Sequence, residues 1–174
     1  MLPQPLRRHP ASVVLRFAAA AAGIALVPAT ATSQARSDVL RVVHERTIEL
    51  AREGAVRKIE QPGCQRLLAE YKDKDGRSLG ENLATWGRTP ADYLRTMPFR
   101  DGSFHPDCKS GKSALVSVVG MRPVFVCPSF RKEAERDPWA AENWILHEML
   151  HTLGLGENPP SSREITQRVS ERCQ

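Results

Sequence analysis

The residues best placed to do chemistry form one short run, His147-Glu148-Met149-Leu150-His151. The two histidines are four positions apart, so on a helix their imidazoles stand on one face about one turn apart and can reach a single metal ion. Zn2+ suits neutral imidazole nitrogen, and a catalytic zinc site takes three protein ligands and keeps a fourth position for water. Glu148 directly follows the first histidine, which sets a carboxylate where it can take a proton from that water as a general base. His147 and His151 are therefore the candidate metal ligands, Glu148 is the candidate catalytic residue, and the expected cofactor is one Zn2+ per chain.

The segment carrying these residues reads as a helix from Asp137-Pro138, an N-cap followed by a helix-starting proline, to about Leu153, before Gly154 and Gly156. Trp144, Ile145, Leu146, Met149, Leu150 and Leu153 make it apolar over most of its circumference, which predicts a central, buried helix. Two histidines and a glutamate on such a helix need partners, because an unpaired buried polar group costs roughly 1–3 kcal/mol. A metal ion would supply one.

With Thr152-Leu153-Gly154 after it, this motif resembles the active-site helix of zincin metallopeptidases. The upstream stretch Pro123 to Phe130 (PVFVCPSF) is similar to the cysteine-containing segment before H-E-x-x-H in the aspzincin branch, and the resemblance covers about Ala114–Glu164. It implies a zincin-like fold, peptide-bond hydrolysis by a zinc-activated water, and a peptide or protein substrate bound in extended form along that strand at the sheet edge. The metzincin pattern H-E-x-x-H-x-x-G-x-x-[HD] aligns Gly154 with its glycine turn and Glu157 with its third ligand, a glutamate where histidine or aspartate is usual. A gluzincin-like arrangement would instead take Glu164 from the following helix. Two other readings stand beside the peptidase: a secreted module with a structural zinc site, and a zinc hydrolase of non-peptide amides. Glu148 separates catalysis from the structural case, since a closed zinc site has no use for a carboxylate beside an open position.

The rest of the chain must position these groups. An amphipathic helix is expected from Ser37 to about Glu60, ended by Pro62-Gly63, then a short helix from Cys64 to Tyr71. Thr89-Pro90 opens another, and a turn-rich stretch runs from Pro98 to Lys112. Ala114–Val119 and Pro123–Val126, joined by Gly120-Met121-Arg122, predict an antiparallel hairpin. Pro159-Pro160 leads to Ser161-x-x-Glu164, a capping box that starts a last helix ending near Cys173. Helices, a small antiparallel sheet and then two helices make an α+β fold, with additional N-terminal helices ahead of the buried active-site helix.

The 174 residues carry 25 Lys+Arg against 20 Asp+Glu, a formal +5 that first suggests an acidic or nucleic-acid partner. Arg7, Arg8 and Arg16, the apolar run Phe17–Val27 and the small residues of Ala29-Thr30-Ala31 form a secretory signal pattern, expected to be cleaved after Ala31. Three arginines and no acid leave with residues 1–31, so the mature domain, 32–174, is at +2 and shows no stripe for nucleic acid. A secreted or periplasmic monomer with no membrane segment after cleavage is expected. All four cysteines, Cys64, Cys108, Cys127 and Cys173, remain in it, which predicts two disulfides with three connectivities open, Cys108–Cys127 with Cys64–Cys173 being favoured. Asp73-x-Asp75-Gly76 reads as a polar turn, since aligning Gly76 with the glycine of a calcium loop leaves Tyr71 and Asn82 where acids are required. His44, His105, Tyr71 and Tyr93 have no spacing that ties them to the motif.

Overall fold

A computed structural model describes residues 45–174. The signal segment, the Ser37 cap and His44 lie outside the described residues. The described chain runs α1 (Arg46–Ile59), α2 (Pro62–Glu70), α3 (Leu79–Thr85), α4 (Pro90–Arg95), β1 (Phe99–Asp101), α5 (Pro106–Lys109), β2 (Leu115–Ser117), β3 (Val124–Val126), α6 (Phe130–Arg136), α7 (Pro138–Thr152) and α8 (Ser162–Arg172). Eight helices and a small sheet among these residues make the fold α+β.

Helix α7 is the centre on which the rest is packed. It starts where the Asp137 side chain accepts the Ala140 N–H at 2.9 Å and Pro138 occupies the first turn. Ile145, Leu146, Met149 and Leu150 are buried on several faces at once, as an almost wholly apolar circumference requires. Helix α1 crosses it through Ile48, Ala51, Ala55 and Ile59, apolar positions three to four apart. The same crossing buries Lys58, whose Nζ lies 2.8 Å from Asn143 Oδ1, 3.0 Å from Glu142 and 4.2 Å from the centroid of the Trp139 ring. Its charge is thus paired and hydrogen-bonded, the condition under which a buried lysine is tolerated.

The sheet differs from the expected antiparallel one. β2 does pair antiparallel with β3, with Ser117 opposite Val124, but β1 pairs parallel with β3, with Phe99 opposite Val124. The strand order β1-β3-β2 makes the sheet mixed. β3 is central and paired on both sides, so the edge-strand role expected for Pro123–Phe130 does not belong to it. The edge against α7 is β2. The strand also stops at Val126, because Phe130-Arg131-Lys132-Glu133-Ala134-Glu135-Arg136 is rich in helix formers and buries Phe130 and Ala134, one turn apart, as α6. The turn-rich stretch from Pro98 contains β1 and α5.

Two disulfides tie the ends of this arrangement, in the favoured pairing. Cys64–Cys173 joins the start of α2 to the residue after α8, and Cys108–Cys127 joins α5 to the segment after β3. No helix among the described residues is long and apolar enough to cross a membrane. Because the first bridge spans 109 positions and the second 19, the chain-entropy model gives them about 4.7 and about 3 kcal/mol respectively. Replacing Cys64 and Cys173 by alanine is expected to lower the unfolding free energy in urea more than replacing Cys108 and Cys127; the opposite order would contradict this.

Candidate metal centre

The site begins with a chain reversal. At the end of α7 the Gly154 N–H donates to the His151 carbonyl at 2.9 Å and the Leu155 N–H to the Leu150 carbonyl at 3.0 Å. This pair of bonds is a Schellman closure with Gly154 in its left-handed position, at φ +112°. The apolar contact expected of that motif is met by Leu150 and Leu155, both buried. The reversal sends residues 155–157 back along the face of α7 that carries both histidines. A Cβ on Gly154 would lie 3.1 Å from Asp73 Cβ and 3.2 Å from Asn82 Nδ2. Asn82 explains the closeness, since its Nδ2 donates both to the Leu153 carbonyl at 2.9 Å and to Asp73 Oδ2 at 2.8 Å.

His147, His151 and Glu157 converge here, with their ligand atoms all within 4.8 Å of one another. His151 Nε2 lies 3.0 Å from His147 Nε2 and 3.3 Å from Glu157 Oε1, which is 3.9 Å from His147 Nε2. The imidazoles are 8% and 7% exposed and the glutamate 40%, so the cluster opens to solvent on its carboxylate side. His151 Nδ1 is 2.7 Å from the Leu155 carbonyl, and His147 Nδ1 is 3.0 Å from Thr166 Oγ1 in α8. Both rings therefore use their far nitrogen for support and turn Nε2 toward the common point, the arrangement of metal-ligating histidines. Burial, with His151 alongside, holds His147 down to about 3, so its ring is neutral at ordinary pH, as a ligand must be. The donor set of two imidazoles and one carboxylate could hold a metal ion.

Glu148 lies against β2 and within electrostatic reach of His151 and Glu157. Its Oε2 accepts the Ser117 hydroxyl at 2.6 Å, and its side chain is largely buried. Burial pushes the Glu148 carboxyl up, and the Ser117 bond only partly offsets this. Glu148 and His147 line one wall of a cleft of about 400 Å³, with Lys112 and Ser113 ahead of β2, Trp144 from α7 and Thr166 from α8 among its other walls. A buried carboxylate and a polar cleft beside a metal-type cluster are the parts a hydrolytic site needs.

Of the two candidate third ligands, Glu157 stands in the cluster and Glu164 does not. The Glu164 carboxylate accepts the Ser161 N–H at 2.8 Å and the Ser161 hydroxyl at 2.7 Å, completing the capping box of α8. His105 caps α5 through the Asp107 N–H, and Tyr93 is fully buried with its hydroxyl donating to Thr152. The Asp73 carboxylate accepts N–H groups of Asp75, Arg77 and Asn82, so it closes a polar turn. Ser117, Thr166 and the Asp73–Asn82 pair have no sequence spacing that ties them to the motif. Ser117 left one signal, as the polar residue inside an apolar β run; Thr166 left none. Comparison with known protein families, with curated proteins and with solved structures finds no match.

Gly154→Ala is expected to lower stability by about 1–3 kcal/mol, through left-handed strain and the tight contacts at Asp73 and Asn82. Gly156→Ala, where a Cβ meets nothing within 4 Å, should stay within about 0.5 kcal/mol in the same urea titration. Asn82 and the turn N–H groups hold Asp73 at about 2 against an ordinary 3.8. Its folded value lies below its unfolded one, so the stability it adds is complete above pH 3.8 and is lost as pH falls through about 2. Asp73→Asn should therefore lower stability at neutral pH and flatten that part of the acid limb.

Proposed function

We propose that this protein is an exported, monomeric zinc-dependent metallopeptidase with a zincin-like site. The observation that carries the reading is the convergence of His147, His151 and Glu157, with Glu148 in the wall of the adjoining cleft. Two imidazoles and a carboxylate match a catalytic zinc set that keeps a position open for water or substrate. The N-terminal signal pattern and the two disulfides support an oxidising, extracytoplasmic setting.

When bound, zinc supplies Lewis-acid polarisation of a scissile carbonyl and makes a water molecule more acidic. The chain's own residues do the rest. Ser117 fixes Oε2 of Glu148, which leaves Oε1 to take a proton from the attacking water and pass it to the departing amine. Burial raises the proton affinity of that carboxyl, which suits a group that must first accept and then donate. The edge strand β2, next to Glu148 through Ser117, is the segment suited to align an extended substrate backbone. A purely structural zinc site would leave Glu148 and this cleft without a use.

Glu148→Gln should retain zinc and lower hydrolysis of an unfolded protein such as casein by about 10²–10⁴-fold; undiminished activity would remove the general-base role. Glu157→Ala should weaken zinc binding, measured against a competing chelator, more than Glu164→Ala does. The reverse order would move the third ligand to Glu164.

A further inference from the structure

Helix α8 reaches His147 through the Thr166 hydroxyl. Thr166 Oγ1 lies 3.0 Å from His147 Nδ1, while Ile165 and Val169 on the same helix are fully buried. The helix is capped by Ser161 and Glu164 at its start, and Cys173 beyond its end is bonded to Cys64. Thr166 is therefore presented to the imidazole from a fixed element, the condition for a supporting contact to hold geometry.

The two histidines are supported differently. His151 Nδ1 faces the Leu155 carbonyl, which only accepts, so the network assigns that ring's hydrogen to Nδ1 and leaves Nε2 bare. His147 Nδ1 faces a hydroxyl, which can donate or accept. For His147 to ligate through Nε2, its ring hydrogen must sit on Nδ1 and the hydroxyl must accept it. The Nε2 of His147 is 3.0 Å from the Nε2 of His151 and cannot be turned elsewhere without losing the Thr166 contact.

We propose that Thr166 is a positioning residue of the metal centre: its hydroxyl accepts the Nδ1 hydrogen of His147 and so fixes the tautomer and ring orientation that present Nε2 to the ion. This rests on reading His147, His151 and Glu157 as a metal site. It gives α8 a part in that site through Thr166, while Glu164 serves the helix's own cap.

The test uses the purified full chain and zinc. Thr166→Val keeps the shape and removes the hydroxyl, whereas Thr166→Ser keeps the hydroxyl. By competition with a chelating dye, the valine variant should bind zinc about 10–100-fold more weakly and the serine variant within about threefold of the wild type. A 15N–1H spectrum of the zinc-loaded wild type should show the His147 Nδ1 hydrogen exchanging slowly with water because Thr166 holds it, a readout that stands even if the valine variant fails to fold. Valine binding zinc as tightly as the wild type, or a His147 Nδ1 hydrogen lost to rapid exchange with water, would overturn the role of Thr166 while leaving the metal site intact. A wild type that takes up no zinc would overturn both readings together.

Discussion

The reversal at Gly154 is the constraint on which the candidate site depends. Helix α7 can present two histidines one turn apart, but it cannot by itself bring a third ligand to them. The left-handed glycine turns the chain back within three residues, and two contacts follow from that one turn. The Leu155 carbonyl arrives at His151 Nδ1, and Glu157 arrives at the exposed side of the imidazole pair. His151 is bound into the closure itself, since its own carbonyl accepts the Gly154 N–H and also the Gly120 N–H from the β2–β3 connection. Asn82 and Asp73 pack over the turn from a distant part of the chain, which makes the reversal a tertiary feature as much as a local one.

Around that turn the polar groups are arranged by how much water each retains. The histidines are nearly closed off, Glu148 is buried against Ser117, and Glu157 remains part-exposed. Burial keeps His147 neutral and raises Glu148, so the two shifts come from one cause acting on groups of opposite charge type. Every histidine nitrogen at the site has a neighbour, namely Thr166 of α8, Leu155 or Glu157 from the loop after α7, or the other imidazole, while β2 supplies Ser117 to Glu148. The disulfides close the elements that supply them: Cys64–Cys173 holds α8, and Cys108–Cys127 holds the region leading into β2.

Much of this was legible in the sequence where the signal was local. Asp137-Pro138 marked the start of α7, the apolar circumference marked its burial, and Ser161-x-x-Glu164 marked the cap of α8. The hairpin of β2 and β3 followed from β-branched runs on a short connection. The parts that were not legible depend on partners far away in the chain. β1 is only Phe99-Arg100-Asp101, without alternation, and becomes a strand by pairing parallel with Val124–Val126. Phe130 reads as the end of an apolar strand from its own β preference, whereas the helix-forming charges that follow it draw it into α6. Thr166 is an unremarkable helical residue until α8 is folded against α7, and no spacing rule connects it to His147. The glycine-turn alignment placed Glu157 because turn and ligand are close in sequence; Glu164 drew attention for its type but was already committed to its cap.

The central claim is that His147, His151 and Glu157 form one zinc centre. Zinc K-edge X-ray absorption on the protein loaded with one equivalent tests it most directly. The account predicts a first shell containing two imidazole nitrogens at about 2.0–2.1 Å with the remaining ligands oxygen, and loss of one imidazole signal in His151→Ala. A shell without imidazole scattering, or one unchanged by that substitution, would contradict it.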